Sequence, residues 1–274
     1  MTSPYVIWTI IFTVVPLLII IFYSFAQRDA FGDVVYKFTL SNYKDFFEPI
    51  YLNVFWRSLK LSLISTVICL FLGYPMAFIM SRSKGLKQNL MVMLFILPLW
   101  TNFLLRTYAW MGLLRDQGII NELLIKLGLI SEPITMLYTN SAVVLGMVYN
   151  FLPFMVLPIF SVLSKMDKSL IEAARDLGSN EMNVFMKIIF PLSFPGVATG
   201  IVMVFMPAVS TFVISDLLGG GQTILLGNLI QNQFMAARNW QFGSSVSVIM
   251  MIFLIISMGY FAKHSSKDGG GKIW

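Results

Sequence analysis

Polar and apolar residues are segregated along the chain into six long apolar runs separated by polar loops. The runs extend approximately from Pro4 to Ala26, Leu59 to Ser81, Leu90 to Leu114, Ser141 to Ser164, Pro191 to Ser215 and Ser244 to Ala262. A helix rises about 1.5 Å per residue, so about 20 apolar residues cross roughly 30 Å of hydrocarbon, where only internal hydrogen bonds can satisfy the backbone. The pattern predicts an all-α polytopic membrane protein of about six transmembrane helices, with one transmembrane domain over 1–274. The first run is too long for a secretory apolar region of about 7 to 15 residues, and no charge precedes Arg28, so it is expected to remain as the first span.

The loops differ in character. Arg82 to Lys87 is short and basic, whereas those around Asp29 to Lys60, Arg115 to Asn140 and Asp216 to Gly243 are longer. The density of Lys and Arg in the shorter loops places them, both termini and the 165–190 loop in the cytoplasm by the positive-inside rule. Gly118 to Ile130 is mostly apolar with Glu122 and Lys126 four apart on one stripe, the spacing of a short interfacial helix. Asp268 to Lys272 reads as a flexible tail.

Composition agrees with a lipid environment: 57% of residues are hydrophobic and 12% charged, against roughly 25% charged in an average soluble protein. The net charge of +6 is scattered between apolar runs instead of forming a basic stripe, which argues against a nucleic-acid partner. Cys69 is the single cysteine and His264 the single histidine, so neither a disulfide within the chain nor a histidine-based metal or acid/base pair has a second member. Gly219-Gly220-Gly221-Gln222-Thr223 lacks the lysine of a nucleotide-binding loop and reads as a turn. No catalytic residue, metal site or cofactor is expected in this chain.

The segment Glu172-Ala173-Ala174-Arg175-Asp176-Leu177-Gly178 is polar and helix-prone, and it stops at a glycine ahead of a proline-led span. It predicts helix, hinge, helix. Gly178 supplies a backbone with φ > 0, and Ser179-Asn180 before Glu181 offers N-cap chemistry for a second helix. At these residues the chain resembles the permease subunits of binding-protein-dependent ABC importers. Their signature has Glu-Ala-Ala, three residues, Gly, nine residues, Ile, one residue and Leu-Pro. Ile188 and Pro191 fall on register, and Phe190 stands where the signature has leucine. The likeness extends to Leu72-Gly73-Tyr74-Pro75, Leu99-Trp100-Thr101-Asn102, Leu152-Pro153-Phe154-Met155-Val156 and Ser215-Asp216-Leu217, which are similar to the polyamine-carrying members.

The resemblance implies a type I (MetI-like) permease fold in a bacterial inner membrane, importing spermidine or putrescine by alternating access. It implies that residues 165–190 form a coupling elbow through Glu172, Ala173, Ala174, Gly178, Ile188 and Pro191. It also implies four kinds of partner: a second, homologous permease subunit, two copies of an ABC ATPase that bind ATP and Mg, an extracytoplasmic polyamine-binding protein, and membrane lipid. Two rival readings remain, the same fold with another cargo and an ion-coupled carrier or channel. The spans contain no acid in their apolar interior to favour the second.

Candidate pathway residues are chosen by position. Counted from Leu90, Pro98 lies about 12 Å and Trp100 about 15 Å into the third span. A proline frees a carbonyl, and an indole face attracts an ammonium with roughly 0.5 to 2 kcal/mol. Asn102 adds an acceptor, and a packed tryptophan at a kink explains the same residues. Tyr149 and Asn150 precede Pro153 and Pro158 in the fourth span. Tyr108 and Trp110 lie toward the outer end of the third, where an aromatic belt also accounts for them. Asp216 closes the fifth span and is the only acid between Glu181 and Asp268, placing a carboxylate at the mouth of a pathway or an ordinary acid at a helix end.

Overall fold

The computed structural model describes residues 3–29, 34–35 and 37–268. In chain order its helices are α1 (Ser3–Thr9), α2 (Val15–Ser24), α3 (Ser41–Phe46), α4 (Pro49–Arg82), α5 (Gly85–Trp100), α6 (Phe103–Leu114) and α7 (Ile119–Lys126). They continue as α8 (Asn140–Ser164), α9 (Lys168–Asp176), α10 (Glu181–Val184), α11 (Phe190–Ser210), α12 (Val213–Gly219), α13 (Leu226–Met235) and α14 (Trp240–Asp268). A ribbon of β1 (Gln27–Arg28) and β2 (Val34–Val35) pairs antiparallel, with Gln27 opposite Val35. The tail expected beyond Asp268 and the side chain of His264 lie outside the described residues.

Among the described residues, five helices are long and apolar enough to cross a membrane: Val6–Ser24, Pro49–Arg82, Asn140–Ser164, Glu181–Ser210 and Trp240–Gly259. A bent pair, Gly85–Trp100 with Phe103–Lys126, supplies the sixth. Two of the helical segments widen to a π turn, Ile10–Val14 and Phe185–Ile189. Each ends two residues before a proline, Pro16 or Pro191. The ring cannot donate to the carbonyl four residues back and crowds it, and widening the turn relieves that clash.

The expectation of a straight third span is corrected. The chain turns by 94° between α5 and α6. Pro98 withdraws a donor from the preceding turn, and Thr101 then closes α5 by donating its N–H and hydroxyl to the Pro98 carbonyl at 3.3 and 2.7 Å. Asn102 restarts the helix as the N-cap of α6. The second span is also longer than predicted, since helix begins at Pro49 and carries Arg57 and Lys60 with it. The fifth span ends earlier, at Ser210, because Thr211 is extended, and Asp216 belongs to the separate helix α12. The loop expected over Asp216 to Gly243 holds α13 as well, tied to the bundle where the Leu226 N–H donates to the Ser58 hydroxyl of α4 at 2.8 Å. The predicted interfacial helix is α7, with Lys126 and Glu122 paired at 2.7 Å.

Helix α8 lies at the centre, packed on both α4 and α11, which also pack on each other. Met147, Met155, Val156 and Ile159 of α8 are fully enclosed. Lipid tails are as apolar as leucine, so helices in a bilayer hold together by close contact, and small residues permit it. On α11, a Cβ added at Gly196 would lie 3.0 Å from the Pro158 carbonyl oxygen and 3.1 Å from the Ile159 Cα of α8. One added at Gly200 would lie 2.7 Å from the Met155 sulfur. Helix α2, by contrast, is peripheral: it packs chiefly on α14 and leaves Leu17, Leu18, Ile19 and Phe22 exposed.

The backbone contact at Gly196 gives a direct test. Gly196→Val overpacks the α8–α11 seam and is expected to cost about 1 to 3 kcal/mol, read as a lowered Tm of the solubilised protein. Gly259→Val, which meets nothing within 4 Å, is the neutral control.

Candidate functional site

The elbow forms as its residues require. Asp167 caps α9 by accepting from the Ser169 N–H at 2.9 Å, and that bond holds its carboxyl below the usual range. Helix α9 ends in a Schellman turn: the Gly178 N–H donates to the Arg175 carbonyl at 2.8 Å and the Ser179 N–H to the Ala174 carbonyl at 3.0 Å, with Gly178 at φ 79°. Asn180 caps α10 by accepting from the Asn183 N–H at 2.8 Å. Across the bend, the Arg175 guanidinium grips the Glu181 carboxylate with two nitrogens, at 2.8 and 3.1 Å. That forked pair fixes the angle between the two helices.

Two faces of the elbow divide the work. Glu172 and Ala173 are exposed, while Ala174, Val184 and Ile189 are buried and Ile188 is partly so. Phe185, in the π turn, stands edge-on to Tyr74 and Phe78 of α4, each at 5.8 Å between centroids. The Tyr74 hydroxyl in turn shares a 2.9 Å hydrogen bond with Ser193 of α11. Phe185 thus ties the turn that follows the elbow to α4, which is itself bonded to α11. Sequence reading missed Phe185 and the Arg175–Glu181 pair. The spacing of the two charges on either side of Gly178 was the available signal for the pair, and nothing in the sequence marks which of many phenylalanines meets α4.

The pathway candidates fall into separate groups. Trp100 is the last residue of α5, about 22 Å from that helix's start, beside the break and nearer to it than a straight span implied. Its ring is 80% exposed and borders a groove of about 430 Å³ with Gln88, Asn89, Ile96 and Phe160. Asn102 uses its Oδ1 to accept from the Leu104 N–H at 2.8 Å, so its acceptor is committed to the cap of α6. Trp110 and Tyr149 are brought together, edge to face at 5.4 Å, where α6 packs on α8. Next to Tyr149, Asn150 is 1% exposed and donates to the Gly146 carbonyl at 2.9 Å, while its Oδ1 has no partner among the described residues. Tyr108 is exposed.

Asp216 sits on α12, which packs against α6. Its Oδ1 accepts from Asn228 Nδ2 at 2.5 Å. Asn228 is itself held by the Phe212 carbonyl, the Ser215 hydroxyl and the Leu225 N–H at 3.0, 2.6 and 2.9 Å. The carboxylate is thus exposed yet oriented. Partial burial raises its pKa above the usual range, and the Asn228 hydrogen bond opposes that rise. A cation arriving at the open oxygen would favour the charged form.

A family model for the binding-protein-dependent transport system inner membrane component matches residues 1–268. The chain belongs to this family. Members are the transmembrane, non-catalytic permease subunits of ABC importers. A spermidine/putrescine transport system permease protein PotB from Haemophilus influenzae is 43% identical over 249 residues, covering 91% of this chain and 87% of the relative. A bacterial ABC transporter involved in the import of the acidic polysaccharide alginate shares the fold, with a TM-score of 0.80 at 14% identity over 96% of this chain and 93% of its own. The same transporter in complex with an alginate-bound periplasmic protein gives 0.78 at 15% identity over 97% and 92%. This chain is a multi-pass permease subunit of that type. The type I permease architecture expected from the sequence is the one observed.

The hinge can be tested directly. Nothing lies within 4 Å of a Cβ added at Gly178, so a substitution there is penalised by its backbone alone. Gly178→Val is expected to destabilise the elbow by about 1 to 2 kcal/mol, and Gly178→Asn by less because asparagine tolerates φ > 0. Co-purification of an ATPase subunit should fall in the order Gly, Asn, Val; equal recovery of all three would remove the hinge from the coupling role.

Proposed function

We propose that this chain is a membrane-spanning subunit of an ATP-driven importer of polyamines, of the spermidine and putrescine class. The observation that carries the reading is the 43% identity, across 91% of the chain, to a permease of a spermidine/putrescine system. The alginate likeness shows that the fold alone does not choose a cargo. Aromatic rings at Trp100, Trp110 and Tyr149 and the oriented Asp216 carboxylate attract cations, which supports a cationic cargo over an anionic one.

The complex contains a second, homologous permease, two copies of an ABC ATPase that hold ATP and Mg, and an extracytoplasmic polyamine-binding protein. The exposed apolar face of α2 suits lipid or the second permease. Both termini and the elbow face the cytoplasm of a bacterial cell. When the ATPase subunits close, they press on the Glu172–Ala173 face of α9. The Arg175–Glu181 brace carries that push to α10, and Phe185 passes it to α4. The α4, α8 and α11 bundle then alternates access between the two sides.

Vesicles containing every subunit should accumulate labelled spermidine only with internal ATP and the binding protein. This chain alone should hydrolyse no ATP; hydrolysis by the isolated chain, or uptake without ATP, would sink the reading. Trp100→Ala should slow uptake about 5- to 30-fold if a contact of roughly 1 to 2 kcal/mol stabilises the limiting step. Phenylalanine should retain part of the rate. Because the ring is 80% exposed, assembly and Tm should stay unchanged. Normal uptake by the alanine variant places the path elsewhere.

A further inference from the structure

At the elbow end of the bundle, the last turn of α4, the start of α5, the end of α8 and helix α9 enclose a cavity of about 370 Å³. Its lining has two parts. Arg82, Lys84, Lys168 and Arg175 face it with four cationic side chains, and Phe78, Leu163, Ile171 and Ile189 give it an apolar wall. Glu172 and Arg175 also serve the elbow, but neither the elbow nor the pathway candidates use Arg82, Lys84 or Lys168.

The charges do not cancel within the chain. Arg175 is answered by Glu181 across the hinge. Arg82 stacks over the Phe78 ring at 4.4 Å, a contact that orients the guanidinium but does not neutralise it. Among the described residues, Arg82, Lys84 and Lys168 form no ion pair. Glu172 is the only carboxylate on the lining. The backbone adds to the imbalance: α5 starts at Gly85, next to the lining residue Lys84, with no side-chain hydrogen bond capping its first turn. A helix N-terminus with free N–H groups favours an anion.

Position and wall chemistry then choose among anions. The cavity lies where α4 ends at Arg82, α5 begins at Gly85 and α8 ends at Ser164, so it sits level with the ends of three spans. That is the headgroup zone of one leaflet. Leu163 and Ile189 are buried in the core, and the apolar wall they form continues into the spans. A fully hydrated anion gains nothing from such a wall, whereas a phosphodiester joined to acyl chains uses both halves of the lining.

We propose that this cavity binds the headgroup of an acidic phospholipid, with Arg82, Lys84 and Lys168 on its phosphate and the glycerol and first acyl carbons against Phe78 and Leu163. The lipid then bridges α4 and α5 to the first turn of α9. Occupancy of the site links the charge of the membrane to the seating of the elbow. On the orientation proposed above the leaflet is the cytoplasmic one, but binding itself does not depend on the cargo.

The test uses the chain purified with its native partner subunits, in nanodiscs of phosphatidylcholine alone or of equal parts phosphatidylcholine and phosphatidylglycerol. Native mass spectrometry after release counts retained phosphatidylglycerol. Combining Arg82→Gln, Lys84→Gln and Lys168→Gln should weaken retention roughly 100-fold, at about fivefold for each cation near a membrane surface. Lys84→Arg with Lys168→Arg should retain the lipid. A control removing charges elsewhere, Lys44→Gln with Lys126→Gln, should leave retention unchanged. Equal retention by the triple variant overturns the proposal. So does displacement of the lipid by millimolar inorganic phosphate, which would make this a free-anion site. Loss of a partner subunit with lipid retention unchanged would make it a protein socket and overturn it too. Lys84→Gln alone, outside the helices of the elbow, should weaken retention about fivefold without loss of Tm, which guards against misfolding of the triple variant.

Discussion

The close approach of α11 to α8 is the contact on which the remaining architecture rests. In water two apolar helices associate because the solvent excludes them, but lipid exerts no such force between them. Gly196 and Gly200 bring α11 within van der Waals reach of the α8 backbone, and α4 packs on both. This three-helix centre gives the less regular pieces something to lie against. Helices α6 and α12, on the far sides of their breaks, both contact α8. Non-helical backbone in a membrane protein persists only where protein shelters it, and α8 supplies much of that shelter.

The same prolines that interrupt regular helix also shape the junction between the elbow and the bundle. The π turn at Phe185–Ile189 lies directly between the elbow and the Pro191-led span, and it turns Phe185 toward Tyr74 and Phe78. Without the bulge, a regular α-helical register would rotate that side chain by most of a residue step, roughly 100°, over the length of one turn. On the other side of the elbow, the Schellman turn and the forked Arg175–Glu181 pair hold α9 and α10 at a fixed angle. In the coupling role proposed above, a push on α9 would pass through this one hinge.

The fold was legible where apolar length alone decides it. The span at α8 was placed within a residue of its observed limits, because nothing inside it competes with helix strongly enough to break it, despite Pro153 and Pro158. The third span was misread, although it contains only a single proline. The two spans differ in the residues after the proline: Thr101 and Asn102 offer side chains that close one helix and cap the next, so the chain can stop and turn by 94°. Polar caps, more than the proline, made the break stable. Helix α13 and the early start of α4 were hidden because their residues are polar enough to read as loop, while tertiary contacts such as Ser58 with Leu226 stabilise them. The elbow was legible down to its hinge and N-cap, since glycine and asparagine act locally. The pairing of Trp110 with Tyr149 was not, because it depends on how α6 packs after the break.

The pathway candidates share one physical property, set by the chemistry that the spans leave out. No acid lies in the apolar interior of any span, and Asp216 is outside them and tethered by Asn228. A buried carboxylate would hold a desolvated ammonium tightly and would need an equally large driving force to release it. Rings and amide oxygens interact more weakly, so a cation can pass from one to the next without falling into a deep well. The arrangement also has a cost in selectivity, because such contacts distinguish cations poorly from one another. On the pathway proposed above, discrimination falls before the cargo reaches Trp100, to the proposed binding protein, of the kind for which the family is described as binding-protein-dependent.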